Sequence, residues 1–152
     1  VSAALPIRPM TDADSEALGS ACAAIDPWKC LGYAAPTLAA YLRRDDPALH
    51  RFVLEDGSGG PPAGLLALRR PWLRGSFIEM LAVLPGHQGQ GLGKALIHWA
   101  ISQEPSANLW ATVSAFNSSA RAFYQHLGFV EVAPLRDLVV TGLDEILLRL
   151  RK

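Results

Sequence analysis

Apolar residues in this chain recur in two rhythms, and the rhythm changes wherever glycine and proline cluster. "LPIRPM" (residues 5–10) reads as a short first strand, and "TDAD" then offers a helix start with Thr11 as cap and acids in the first turn. Ser15 to Ile25 is alanine-rich and helical until Pro27 interrupts it. A second helix begins near Pro36-Thr37 and runs through "LAAYLRR" to Asp45. "HRFVLED" is a strand, and "GSGGPP" (57–62) is a turn. "AGLLALRR" and "GSFIEMLAVL" read as hairpin-connected strands, with Pro71 and Gly75 marking an irregular join.

Beyond a glycine-rich stretch (86–93), Leu92, Ala95, Leu96, Trp99 and Ala100 form a stripe at helical spacing. "NLWATVSAF" is a strand of β-branched and aromatic residues. "NSSARAFYQHLG" is a helix with Asn117 as N-cap and Gly128 as its stop. "FVEVA" and "DEILLRLR" supply two late strands, although propensity alone would also allow a helix for the second. No repeat, low-complexity tract or long linker appears. The order β-α-α-β-β-β-α-β-α-β-β therefore predicts one mixed α/β domain over residues 1–152.

Composition narrows the function classes. Half of the 152 residues are hydrophobic and 18% are charged, an ordinary globular balance. With 14 basic and 14 acidic residues the formal net charge is zero, which gives no general reason to expect nucleic acid or an anionic membrane as partner. No apolar run approaches the ~20 residues of a bilayer span, and "VSAALPIRPM" lacks the pattern of a secretory signal, so a cytoplasmic location is expected. Cys22 and Cys30 read either as two free thiols or as a single bridge.

The candidate chemistry sits in "LPGHQGQGLGKALIHWA" (84–100), where four glycines fall within eight positions between an apolar strand and a helix. Bare backbone at a helix N-terminus suits an anion, because the N–H groups there are free and the dipole is positive. Spacing separates the kinds of phosphate loop. G-x-x-x-x-G-K-[ST] fails, since Gln88 stands where its first glycine belongs and Ala95 where its Ser/Thr belongs. G-x-G-x-x-G fails too, because after Gly89 and Gly91 the third glycine, Gly93, comes one residue early.

[QR]-x-x-G-x-[GA] does fit, as Gln88-Gly89-Gln90-Gly91-Leu92-Gly93 after "IEMLAVLP". A second pattern, N-x-x-[AS]-x-x-[FL]-Y-x-x-x-G-F, fits "NSSARAFYQHLGF" (117–129). In these two segments the chain resembles the GCN5-related N-acetyltransferase (GNAT) family, closely from Pro71 to Val132 and loosely over its whole length.

The resemblance implies a central mixed sheet splayed between its fourth and fifth strands, acetyl-CoA as co-substrate and no metal. It also implies direct acetyl transfer to a primary amine, on a small molecule or a protein, in a ternary complex. Backbone at Leu81, Ala82 and Val83 would pair with pantetheine, the amides from Gln88 through Gln90, Gly91, Leu92 and Gly93 to Lys94 would hold the pyrophosphate, and Asn117, Ser119 and Ala120 would flank the pantetheine arm. Tyr124 matches the family tyrosine that protonates the departing thiolate. The Lys94 and Arg121 side chains read equally as phosphate contacts or solvated surface.

A lysine amine is neutral in only about one part in 2,500 at pH 7, worth ~4.6 kcal/mol, so a base matters for such an acceptor. Some relatives carry a glutamate shortly before the helix asparagine, but this chain has Thr112 and Val113 there. Glu79 is the remaining candidate. On an alternating strand it shares a face with Leu81 and Val83, and it reads either as a base acting through water or as a solvent-facing edge residue. Trp28 and Tyr33 in "IDPWKCLGYAAP", and Trp72 in "RRPWLRG", are candidate acceptor contacts or a small core beneath their loops. The C-terminal strand is a candidate for pairing across a homodimer. A catalytically weak CoA-binding sensor of the same fold is the alternative function, and a magnesium-dependent nucleotide switch is disfavoured by Ala95.

Overall fold

In a computed structural model, which describes residues 6–152, seven strands form a single sheet in the order β1-β2-β3-β4-β5-β7-β6. Residues 1–5, which hold the start of the first expected strand and the first half of the segment searched for a signal, lie outside the described residues. The strands are β1 (Ile7–Pro9), β2 (Leu49–Leu54), β3 (Gly64–Trp72), β4 (Gly75–Val83), β5 (Asn108–Ser114), β6 (Val130–Val140) and β7 (Leu143–Arg151). The helices are α1 (Ser15–Ala23), α2 (Ala35–Arg43), α3 (Leu92–Gln103) and α4 (Ser118–His126). The order is the expected one, with an added 3-10 turn (Asp12–Asp14) before α1. Thr11 caps that turn rather than α1 itself.

The alternation on β3 explains the layering. Leu65 and Ala67 pack on one face against Leu18, Cys22, Leu38 and Leu42 of α1 and α2. Leu66 and Leu68 pack on the other face with Leu96, Ile97 and Ala100 of α3 and Tyr124 of α4. All four are fully buried, so β3 is the apolar spine between two cores. The last segment, ambiguous by propensity, is a strand because Ile146 and Leu148 alternate into the α3–α4 core while β7 pairs on both sides. With β5 and β6 occupying both of its edges, β7 offers no edge to a second copy; the outer strand at that end of the sheet is β6.

β4 and β5 form the sheet's parallel pair and hold together at one end only. Their register runs from Gly75↔Asn108 to Ile78↔Ala111 and then stops, although β4 continues to Val83 and β5 to Ser114. The expected splay is therefore present. Gly75 permits the paired end: a Cβ there would lie 2.0 Å from the Asn108 carbonyl oxygen.

Candidate active site

The opening between β4 and β5 is a cavity of about 870 Å³. One side is the β4–α3 loop and α4. Gln88, Gly89 and Gly93 line it, together with Asn117, Ser119, Ala120 and Tyr124. Gly91 caps α3 at φ 76°, a left-handed conformation that glycine adopts without strain. Among the described residues, none of the amides from Gln88 to Lys94 makes a well-formed bond to a protein acceptor. The first amide to do so is that of Ala95, which donates to the Gly91 carbonyl at 3.1 Å. The start of α3 thus has unspent donors and a positive dipole end beside the cavity. The Gln88 side chain donates back to the Val83 carbonyl at 3.1 Å and ties the loop to the strand.

Asn117 caps α4, accepting from the Ala120 amide at 3.1 Å and from the Ser119 hydroxyl at 3.1 Å. That cap fixes the helix whose inner face carries Tyr124. The Tyr124 ring meets Phe123 and Phe129 edge-on, with centroids 5.2 and 5.1 Å away. Burial pushes its phenol well above the ordinary range, so the proton stays on oxygen near neutrality. Not every expected loop residue reaches the cavity. Gln90, Gly91 and Leu92 lie outside its lining, while Lys94 opens onto a smaller hollow beside His98 and His126. Arg121 is bound to Glu131 at 2.9 Å and to the Ala115 carbonyl at 3.1 Å, which joins α4 to β6.

The opposite side is built by α2, the α1–α2 loop, β4 and β7. Here the structure corrects the reading of Glu79. The β3–β4 register jumps from Ala67↔Met80 to Leu68↔Ile78, so Glu79 is the extra residue of a β-bulge. The bulge breaks strict alternation. Leu81 packs with the α3–α4 core, whereas Glu79 turns toward α2 and takes a hydrogen bond from the Tyr41 hydroxyl. Arg69 grips the same carboxylate with Nε at 2.7 Å and Nη2 at 3.0 Å, and also reaches Asp46 at 3.0 Å. Burial pushes the Glu79 carboxyl up, and the Arg69 fork, which favours the ionised form, opposes it.

Trp28 and Tyr33 line this side of the cavity, along with Tyr41. Trp72 does not. It packs at the closed end of the β4–β5 pair against Phe77 and Trp110, at centroid distances of 4.9 and 5.6 Å, because β3 carries it away from the splay. Cys22 and Cys30 are both free thiols, the first buried under α1 and the second exposed. Burial pushes the Cys22 thiol up to about 12, so it is no nucleophile.

Sequence reasoning missed Glu145. It lines the cavity from β7, is only 6% exposed, and accepts from the Ser114 hydroxyl at 2.6 Å. Its neighbours Ile146 and Leu148 mark the core face of the strand, which makes Glu145 look solvent-facing in sequence. Among the described residues, no helix is long and apolar enough to cross a membrane, and no group of three or more His, Cys, Asp or Glu is placed to hold a metal ion.

Comparisons with known proteins agree with this geometry. The chain is 37% identical over 91 residues to mycothiol acetyltransferase of Beutenbergia cavernae, covering 58% of this chain and 30% of that protein. It is 41% identical over 64 residues to the ribosomal protein bS18-alanine N-acetyltransferase of Escherichia coli, covering 40% of this chain and 43% of that one. These matched stretches span less than half the length of either relative. The crystal structure of the Escherichia coli S18-alanine enzyme aligns over 95% of this chain and 92% of its own, with TM-score 0.72 and 26% identity. Spermidine N-acetyltransferase from Vibrio cholerae, solved with CoA and spermine, covers 97% of this chain and 95% of its own at TM-score 0.74, and its 20% identity supports the fold alone. The model of the "Acetyltransferase (GNAT) family" matches residues 14–129, and the chain belongs to that family.

Proposed function

We propose that this protein transfers the acetyl group of acetyl-CoA directly to a primary amine within a ternary complex. The observation that carries this reading is the run of unspent amides from Gln88 to Lys94, which follows the end of β4 that has parted from β5. Those amides are donors for a pyrophosphate, and the free edge of β4 beyond Ile78 is a template for the pantetheine amides at Leu81, Ala82 and Val83. Asn117, Ser119 and Ala120 flank that arm. A backbone N–H of the same β4 segment is the donor for the oxyanion.

Tyr124 is assigned as the acid that protonates the departing thiolate. Its buried, protonated phenol lines the same cavity, which supports the role. Glu79 is already neutralised by Arg69, so its part is to hold a water and fix the α2 side through Tyr41 rather than to take the proton alone. Trp28 and Tyr33 are contacts for the acceptor. A relative whose name specifies an alanine of ribosomal protein bS18 is consistent with an amine acceptor.

The test is a transfer assay with acetyl-CoA and a panel of primary amines, following CoA release and the acetylated product by mass. Wild-type protein should acetylate at least one amine class without added metal. Tight acetyl-CoA binding with no transfer to any amine would instead favour a CoA-binding sensor.

A further inference from the structure

Three carboxylates line the cavity: Asp26 is exposed on the α1–α2 loop, while Glu79 and Glu145 lie on the sheet and are treated differently. Glu79 has a guanidinium fork on it. Glu145 has no lysine or arginine partner among the described residues and only the Ser114 hydroxyl as a donor. It is 94% removed from solvent and lies in register between Ser114 of β5 and Leu135 of β6. A buried carboxylate without a cation costs several kcal/mol, and an apolar side chain at the position would be the more stable choice. What remains open to Glu145 is the cavity, where Trp28, Tyr33 and Tyr41 add aromatic surface suited to a cation.

We infer that Glu145, positioned by Ser114, receives the ammonium group of the acceptor and takes its proton before transfer. This rests on the acetyl-transfer reading and deepens it: the substrate class becomes amines that arrive charged. The position also answers the absence of an acid at Thr112 and Val113, because Glu145 reaches the same end of β5 from the adjacent strand.

The step balances. One proton moves from the ammonium nitrogen to the Glu145 carboxylate, leaving a neutral amine. Its lone pair attacks the thioester carbonyl, the C–N bond forms and the C–S bond breaks. The thiolate takes a proton from Tyr124, and the surplus proton on the new amide nitrogen restores Tyr124. Glu145 then returns its proton to solvent, so each turnover releases one proton. Burial raises the proton affinity of Glu145 while the Ser114 bond lowers it, consistent with a group that both accepts and releases.

The test needs no knowledge of the natural acceptor. CoA-loaded protein is titrated calorimetrically with benzylammonium and with benzyl alcohol, its neutral counterpart, and the same pair is run on free protein. Wild type should prefer the ammonium at least tenfold. Glu145→Gln should lose that preference while binding CoA and benzyl alcohol as before, and Glu145→Asp should recover part of it. Absence of a preference in wild type, or its survival in Glu145→Gln, would overturn the assignment. A protein with the preference but no CoA binding would contradict the transfer reading and leave Glu145 standing.

Discussion

The loop side of the cleft and the side beneath α2 handle charge in opposite ways. Along the loop, donors are backbone amides at a helix start, and no acidic side chain lines that wall. Across the gap, Glu79 and Glu145 face the same space from β4 and β7. The difference teaches how one small domain can bring an anion and a cation together. A phosphate is drawn to fixed dipoles that cannot titrate, and an ammonium is drawn to a carboxylate that can exchange its proton. The β4–β5 splay keeps the two sets of groups apart.

This division can be broken one side at a time. The largest expected effect is on the loop side: Gly91→Glu should abolish measurable acetyl-CoA binding. A Cβ at Gly91 meets no protein atom, so the loss comes from the new charge and the φ of 76°, and circular dichroism should stay unchanged. Next, Tyr124→Phe should keep acetyl-CoA affinity and slow turnover by about 100-fold, a gap that should appear in single-turnover kinetics. Wild-type rates with chemistry limiting would remove Tyr124 from the mechanism.

On the other side, Arg69→Met strands the Glu79 carboxylate. Because the pair is partly exposed, urea unfolding should show a loss of about 2 kcal/mol, shrinking as falling pH protonates Glu79. Asn117→Ala removes the α4 cap and should cost about 1 kcal/mol, with a modest fall in turnover as Tyr124 loosens. The smallest effect lies away from the cleft. Arg8 holds Asp14 down to about 2, below its unfolded value, so their pairing stabilises the fold above pH ~4 and is lost as pH falls through about 2. Arg8→Gln should flatten that part of an acid-unfolding profile.

The two sides also differed in how far the sequence disclosed them. The loop side is local: Gln88 to Gly93 is one contiguous segment, and Asn117 to Phe129 is one helix with its cap and stop, so spacing alone carried them. The opposite side is assembled from distant segments. Glu79 looked like a member of a regular alternation, and only the pairing of Ala67 and Leu68 with β4 reveals the bulge that turns it toward Tyr41. Glu145 sat on the polar face of an alternating strand, and its burial depends on β5 and β6 closing on either side. Trp72 failed for a related reason. Its distance from the splay depends on where β4 and β5 stop pairing, which no local pattern encodes.

The most direct test of the account is a calorimetric titration of the protein with acetyl-CoA, with ATP and magnesium as the control ligand, repeated on Gly91→Glu. The account predicts micromolar binding of acetyl-CoA, none of ATP, and loss of the acetyl-CoA signal in the variant. Magnesium-dependent ATP binding, or acetyl-CoA binding that survives Gly91→Glu, would contradict it.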